Sequence, residues 1–191
     1  MRPLTSLFAT LLIGSSLTVL RAATPAGHLD DPAQMLPADP AAAPNLEARL
    51  AAFEQTSGIR ILVQFHAKSP SAEEDKVPGA YMSALSRQLG TLPHGVLVVY
   101  FADDPDWRIW IGDDLAAKFA GRPGTVQELT ANKAIHDVKE ALLTAARAKA
   151  AAAFAALQKS APAGHPPTPA QHLRLQAEAL LDAIIAKLAS S

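Results

Sequence analysis

The chain has 191 residues, the length of one domain of ordinary size. Its 17 Lys and Arg residues against 18 Asp and Glu residues leave a formal charge of -1, which provides no basic field for gathering nucleic acid or anionic lipid. The absence of cysteine excludes disulfides, thiol nucleophiles, Cys-based zinc sites and iron–sulfur clusters. Because 40 residues are alanine, the apolar core is modest and padded with small side chains.

Residues 1–26 have the pattern of a secretory signal peptide. No charged side chain occurs between Arg2 and Arg21, and leucine is frequent in that stretch. Thr24 and Ala26 are small residues at the two positions that cleavage requires, which predicts a cut before Gly27. An uncleaved membrane anchor is the alternative, because the uncharged stretch is just long enough to cross a bilayer. We expect a periplasmic or secreted protein, peripheral to a membrane at most.

The next segments predict a crossover between two strands. Residues 27–44 contain four prolines and little periodicity, which predicts an irregular segment. The α/β domain then spans residues 45–160. It begins with a helix capped by Asn45, a strand over residues 59–66 and a helix from Pro78 to Gly90. The unbroken apolar run over residues 96–101 is typical of a buried strand, so strand, helix and strand should form a right-handed parallel crossover.

Beyond residue 101 the sequence predicts a hairpin and then helices only. The strand over residues 107–111 should return antiparallel after an acidic turn, with Trp107 and Trp110 on opposite faces. Asp113 is expected to cap a short helix over residues 114–120, and Thr125 with Glu128 forms a capping box for one long helix running to about Lys159.

The C-terminal part reads as a hinge followed by an amphipathic helix. Residues 161–167 are rich in proline, and residues 168–191 carry one apolar stripe. Arg174, Glu178, Asp182 and Lys187 exclude a membrane span there, so we expect this helix to fold back onto the domain.

The order of these segments resembles the TPM domain, the family of bacterial YgcG-like exported proteins and a thylakoid-lumen phosphatase-like protein. The resemblance covers about residues 28–155 and rests on residues 29–33, 57–63, 94–100 and 107–112. It implies a three-layer α/β/α sandwich with a mixed sheet, together with the acid phosphatase activity and divalent metal binding credited to some members. It also implies a role in the assembly or upkeep of membrane complexes. Members usually carry Gly-x-Gly-Leu-Glu where this chain has Gly-Asp-Asp-Leu-Ala at residues 112–116.

Clustered aspartates are the strongest chemical signal in the sequence. Those of the turn, Asp103, Asp104 and Asp106, follow a predicted parallel strand at the edge where open α/β sheets bind ligands. Asp113 and Asp114 lie at the far end of the hairpin, about 20 Å away at 3.3 Å per residue, and more readily serve a helix start. We predict a divalent cation, calcium or magnesium, at Asp103, Asp104 and Asp106. A solvated turn is the alternative.

Two further groups bear on that site. A carboxylate of the loop over residues 67–76, from Glu73, Glu74 or Asp75, is expected to complete the ion's ligands. The six histidines show no zinc-site spacing and are expected at the surface or in loops, with His66 nearest the acidic turn.

The residues favour a binding function over catalysis. No side chain stands out as a covalent nucleophile, so no catalytic residue is assigned and any phosphatase activity would have to be metal-assisted. We predict an exported, non-catalytic binding or assembly factor for another envelope or membrane-complex protein, whose function can depend on a divalent metal. A metal-dependent acid phosphatase acting on phosphomonoesters is the alternative.

Overall fold

The computed structural model describes residues 27–37 and 42–190. The predicted signal peptide, and residues 38–41 of the predicted irregular segment, lie outside the described residues. Four strands form one sheet, namely β1 (Leu29–Asp30), β2 (Arg60–His66), β3 (Gly95–Phe101) and β4 (Asp106–Ile111). The helices are α1 (Ala42–Ser57), α2 (Ala80–Gln88), α3 (Ala116–Ala120), α4 (Val126–Ala131), α5 (Ala134–Ser160) and α6 (Pro169–Ala189).

The sheet is mixed and its strands lie in chain order. β1, β2 and β3 are parallel, whereas β4 runs antiparallel to β3. The predicted crossover from β2 through α2 to β3 is confirmed, as is the hairpin that follows it. All residues of β3 are buried except Tyr100, because helices cover both faces of this central strand.

Helices on both faces make the molecule a three-layer α/β/α sandwich, as predicted. The larger core lies between the odd-numbered side chains of β2, such as Ile61, Val63 and Phe65, and helices α1, α5 and α6. The smaller core lies on the other face, where α2 packs Met82 on Leu97 and the other apolar residues of β3. Trp107 faces the larger core and Trp110 the smaller one, so the predicted division of the two indoles is confirmed.

Helix α6 folds back on α5 and also contacts α1 and α3. Its buried stripe comprises Ala177, Leu180, Leu181, Ile184 and Leu188. Full burial of one Leu or Ile contributes about 1.5–3 kcal/mol, so the return of this helix is strongly favoured. The capping boxes predicted at both Thr125 and Thr168 are present. Among the described residues, none of the helices has the length and apolar character needed to cross a bilayer.

Three expectations about element boundaries are wrong. The segment before α1 contains β1, which pairs with β2, and α1 begins at Ala42 rather than after Asn45. Asp113 opens a 3-10 turn whose N-terminal cap is Gly112, and no side chain caps it. The predicted long helix is divided, because Lys133 adopts a left-handed conformation with φ 62° between α4 and α5.

Candidate site at the strand ends

The carboxyl ends of the parallel strands lie at one edge of the sheet, and the acidic hairpin tip meets them there. Asp103 Oδ1 accepts hydrogen bonds from the Ser69 amide at 2.7 Å and the Ser69 hydroxyl at 2.9 Å. These bonds from Ser69, which lies in the loop after β2, hold the pKa of Asp103 below its ordinary value. The placement of the tip beside the end of β2 is therefore as the sequence predicted.

The three predicted metal ligands do not form a cluster. Asp106 accepts from the Arg147 guanidinium at 2.6 Å, and Asp103 is held by Ser69. In the part of the chain that the structure describes, no group of three or more His, Asp or Glu side chains is placed to hold a metal ion. The cation at Asp103, Asp104 and Asp106 thus stays a prediction without an assembled ligand set to support it.

The loop carboxylates expected to complete that site are engaged elsewhere. Asp75 accepts from Arg108 at 3.0 Å and from the Tyr81 amide at 3.2 Å, which ties the loop and the start of α2 to β4. Glu74 accepts from the Ser71 amide and hydroxyl, both at 2.8 Å. Glu73 lies 3.9 Å from Lys76. Each of these acids therefore has a polar or charged partner within the loop, in α2 or on β4.

A line of four polar side chains crosses the sheet face at this edge, and we call it the polar network: Asp30, Gln64, His66 and Tyr81. The Gln64 amide group donates to Asp30 Oδ2 at 3.2 Å, which leaves the Gln64 carbonyl oxygen facing His66 Nε2 at 3.1 Å. His66 Nε2 must then carry the hydrogen, so its Nδ1 accepts from the Tyr81 hydroxyl at 3.3 Å. One hydrogen-bond direction, from Tyr81 to Asp30, satisfies every member.

The electrostatics of the polar network agree with that direction. Burial lowers the pKa of His66, and the negative charge of Asp30 offsets this only in part, so the ring is neutral near pH 7. Burial and the nearby Glu74 raise the pKa of Tyr81, while Arg108 opposes them, so the hydroxyl keeps its proton. Aromatic contacts fix the ring as well, since the His66 and Phe101 centroids lie 5.6 Å apart at 76°.

This arrangement limits the chemistry that the site can perform. Both ring nitrogens of His66 are occupied, so the ring cannot take a proton from a bound ligand unless Tyr81 or Gln64 moves away. Tyr81, the half-buried residue at one end of the polar network, borders a depression lined by Lys68, Ser69, Pro70, Ser71, Glu74 and Tyr81. A depression rimmed by hydroxyl and lysine groups is suited to hydrogen bonding with another molecule.

Sequence reasoning found part of this site. His66 was identified as the histidine nearest the acidic turn, but Asp30, Gln64 and Tyr81 were not selected. The available signal was polar residues at alternate positions of β2, which mark the face carrying Gln64 and His66. Asp30 could not be placed because its pairing depends on β1, a strand of two residues.

Asp31 and Asp113 have roles in local structure away from the acidic turn. Asp31 accepts from the amides of Met35 and Leu36 at 2.8 and 2.9 Å, which closes the turn after β1. Asp113 follows β4 at the opposite end of the hairpin, where its amide donates to the Leu92 carbonyl. The division of the acids into two separate groups is therefore as predicted.

Comparison with known proteins adds no assignment to this geometry. No protein-family model matches the chain, and no curated protein matches it significantly. The similarity to TPM domains accordingly remains a prediction drawn from the order and spacing of the segments.

Proposed function

We propose that the protein is an exported, TPM-like, non-catalytic binding module that docks on another envelope or membrane-complex protein. The docking surface is the strand-end surface, defined by Lys68, Ser69, Ser71 and Tyr81. The observation that carries the proposal is that the titratable side chains at this edge of the sheet already have hydrogen-bond partners within the protein. The His66 ring has a partner on each nitrogen, and the acids around it are tied to Ser69, Arg147 and Arg108.

A binding role is consistent with side chains that are held in place by hydrogen bonds within the protein. Asp75 fixes the loop over the sheet by bonding both Arg108 and the Tyr81 amide, so the surface is held in one shape before a partner arrives. Preorganised surfaces lose less conformational entropy on association. A metal-assisted phosphatase needs the opposite, namely carboxylates that are free to converge on an ion and on the water it activates.

The first experiment distinguishes binding from hydrolysis. Calcium, magnesium and manganese are titrated calorimetrically into the purified wild-type protein and into Asp104→Ala, and turnover of a generic phosphate ester is measured in the same buffers. We expect no turnover above the buffer rate. Hydrolysis that needs a divalent ion and is lost in Asp104→Ala would replace the binding proposal with the phosphatase.

The second experiment tests the docking surface in the producing cell. A photo-crosslinking amino acid is placed at Lys68 on the strand-end surface or, as a matched control, at Lys159, another exposed lysine near the end of α5. We expect a discrete cross-linked species from position 68 that is absent from position 159. Equal cross-linking from both positions, or none from either, would contradict docking through this surface.

A further inference from the structure

A second concave site lies at the outer edge of β4, away from the strand-end surface. It is a pocket of about 210 Å³ between β4, the loop before α2, and helices α4 and α5. Its walls are mainly apolar, and the main contributors are Pro78, Trp110, Ile111, Val126 and Ile135. The volume is below that of pockets for drug-sized ligands, so only a small molecule fits.

The pocket exists because α4 and α5 are separate helices. Asn132 ends α4 and Lys133 takes the left-handed conformation, which turns the chain before α5 begins at Ala134. The Asn132 side chain accepts from the Ala134 amide at 3.1 Å and from the Arg122 guanidinium, so the corner is held on both sides. A left-handed residue other than glycine costs about 1–2 kcal/mol, and such strain is concentrated at functional sites.

One lysine, Lys139, is among the residues that line this mainly apolar pocket. The ammonium group of Lys139 lies 5.6 Å from the centre of the Trp110 ring, and the side chain is partly buried. None of the ion pairs formed among residues 27–37 and 42–190 involves Lys139. Burial lowers its pKa to about 8, which is the effect expected of an amine that has lost water without gaining a counter-charge.

We propose that this pocket binds a small monocarboxylate with a branched or ring-shaped apolar body, whose carboxylate pairs with Lys139. The apolar body contacts Trp110, Ile111 and Ile135, and the carboxylate supplies the charge partner that the ammonium lacks. Two other titratable groups line the pocket, Asp113 from the segment after β4 and His136 from α5, and both are exposed. The site is independent of the proposed docking function.

The test compares two probes of nearly the same shape, the charged 4-methylpentanoate and the neutral 4-methylpentanamide. The purified protein is labelled at isoleucine δ1 methyl groups and titrated by NMR. We expect saturable shifts at Ile111 and Ile135, none at the core residue Ile184, and at least tenfold tighter binding of the acid than of the amide. A tenfold preference is what one charge-assisted hydrogen bond in a partly desolvated site provides.

The variant Lys139→Met keeps the length of the side chain and removes its charge. We expect it to bind the acid as weakly as the amide, while the matched control Lys159→Met keeps the preference. If Lys139→Met does not fold, a pH series on the wild type replaces it. The preference should disappear between pH 7 and about 9.5 as the amine loses its proton, and His136→Gln and Asp113→Asn should leave that loss unchanged.

Equal affinity for acid and amide in the wild type would overturn the proposal, as would an acid preference that survives Lys139→Met. Absence of any shift at Ile111 and Ile135 at tens of millimolar acid would also overturn it. Lys139 would then serve only to cover the Trp110 ring with its aliphatic stem.

Discussion

His28, which directly precedes β1, is buried against α1, and removing it should destabilise this edge of the sheet. The His28 clamp consists of His28, Glu47 and Glu54. His28 is only 8% exposed, its Nδ1 lies 2.6 Å from Glu47 and its Nε2 lies 2.6 Å from Glu54. Each ring nitrogen of His28 therefore has a carboxylate partner. The Glu47 carboxylate also accepts from the amides of His28 and Leu29.

The cost of His28→Leu follows from those contacts. One hydrogen bond to a charged group contributes about 1.5–3 kcal/mol, but Glu47 and Glu54 are each 36% exposed and regain water when the ring is lost. Discounting for that exposure, we expect a loss of about 2–4 kcal/mol in the free energy of unfolding. For a chain of this size that lowers the Tm by about 4–16 °C. Glu54→Ala removes one of the two carboxylate partners only and should cost about half as much.

The contribution of the Glu47 carboxylate to the free energy of unfolding should decrease at acid pH. Burial raises the pKa of Glu47, but hydrogen bonds from the His28 ring and from the amides of His28 and Leu29 outweigh it, and the net pKa lies below its ordinary value of 4.5. A carboxyl group with a lowered pKa stabilises the fold above the pKa of the unfolded chain, and the contribution is lost as pH falls through the folded pKa. The stability difference between wild type and Glu47→Gln should therefore be complete at pH 7 and shrink below about pH 4.5.

Urea unfolding of wild type, His28→Leu and Glu47→Gln at pH 7 and pH 3.5 measures the predicted losses of stability. Amide hydrogen exchange shows which part of the sheet is affected. The Val63 amide donates to the His28 carbonyl at 2.7 Å, so its exchange should accelerate selectively in His28→Leu. A Tm of His28→Leu within 1 °C of the wild type would refute the reasoning. So would a stability difference between wild type and Glu47→Gln that is equally large at pH 7 and pH 3.5.

Three further outcomes follow from other contacts. Tyr81→Phe removes the donor to His66 Nδ1 and with it a bond that favours the neutral ring, so the pKa of His66 should rise in an NMR titration. Gly112→Ala should lower the Tm clearly more than Gly90→Ala. A Cβ at residue 112 would meet only backbone atoms, the nearest at 2.8 Å. At residue 90 a Cβ would meet open space, so the left-handed φ of 76° is the only source of strain there. Thr168→Ala breaks a complete capping box and should destabilise the protein by about 1 kcal/mol in urea unfolding.

The layered architecture was predictable because its signals are local. The apolar run at residues 96–101 and the alternation in β2 fixed the strand types, and the helix between them required a parallel crossover. Capping boxes at Thr125 and Thr168 located two helix starts to the residue. Each of these features depends on side chains a few positions apart, which a single sequence displays directly.

The contents of the candidate site were less predictable because they depend on register between distant segments. The hydrogen bond between Asp30 and Gln64 exists because β1 pairs with β2, which places these two residues side by side although they are 34 positions apart in the chain. The same limit applies to His28, which was expected at the surface or in a loop: it lies in a bend before β1, but its ring is buried against two glutamates of α1. A two-residue strand carries too little pattern to be recognised, so everything that it positions was missed.

The break between α4 and α5 shows why local helix signals also fail. Residues 125–159 satisfy helix propensity and the capping rule throughout, yet Lys133 is left-handed, which a lysine adopts only when its surroundings impose it. Two observations accompany this conformation: the Asn132 side chain accepts hydrogen bonds at the corner, and Leu129 and Ile135, on either side of it, are both buried in the larger core. Tertiary burial therefore outweighs the local preference, and residues of both helices that meet at this corner line the pocket containing Lys139.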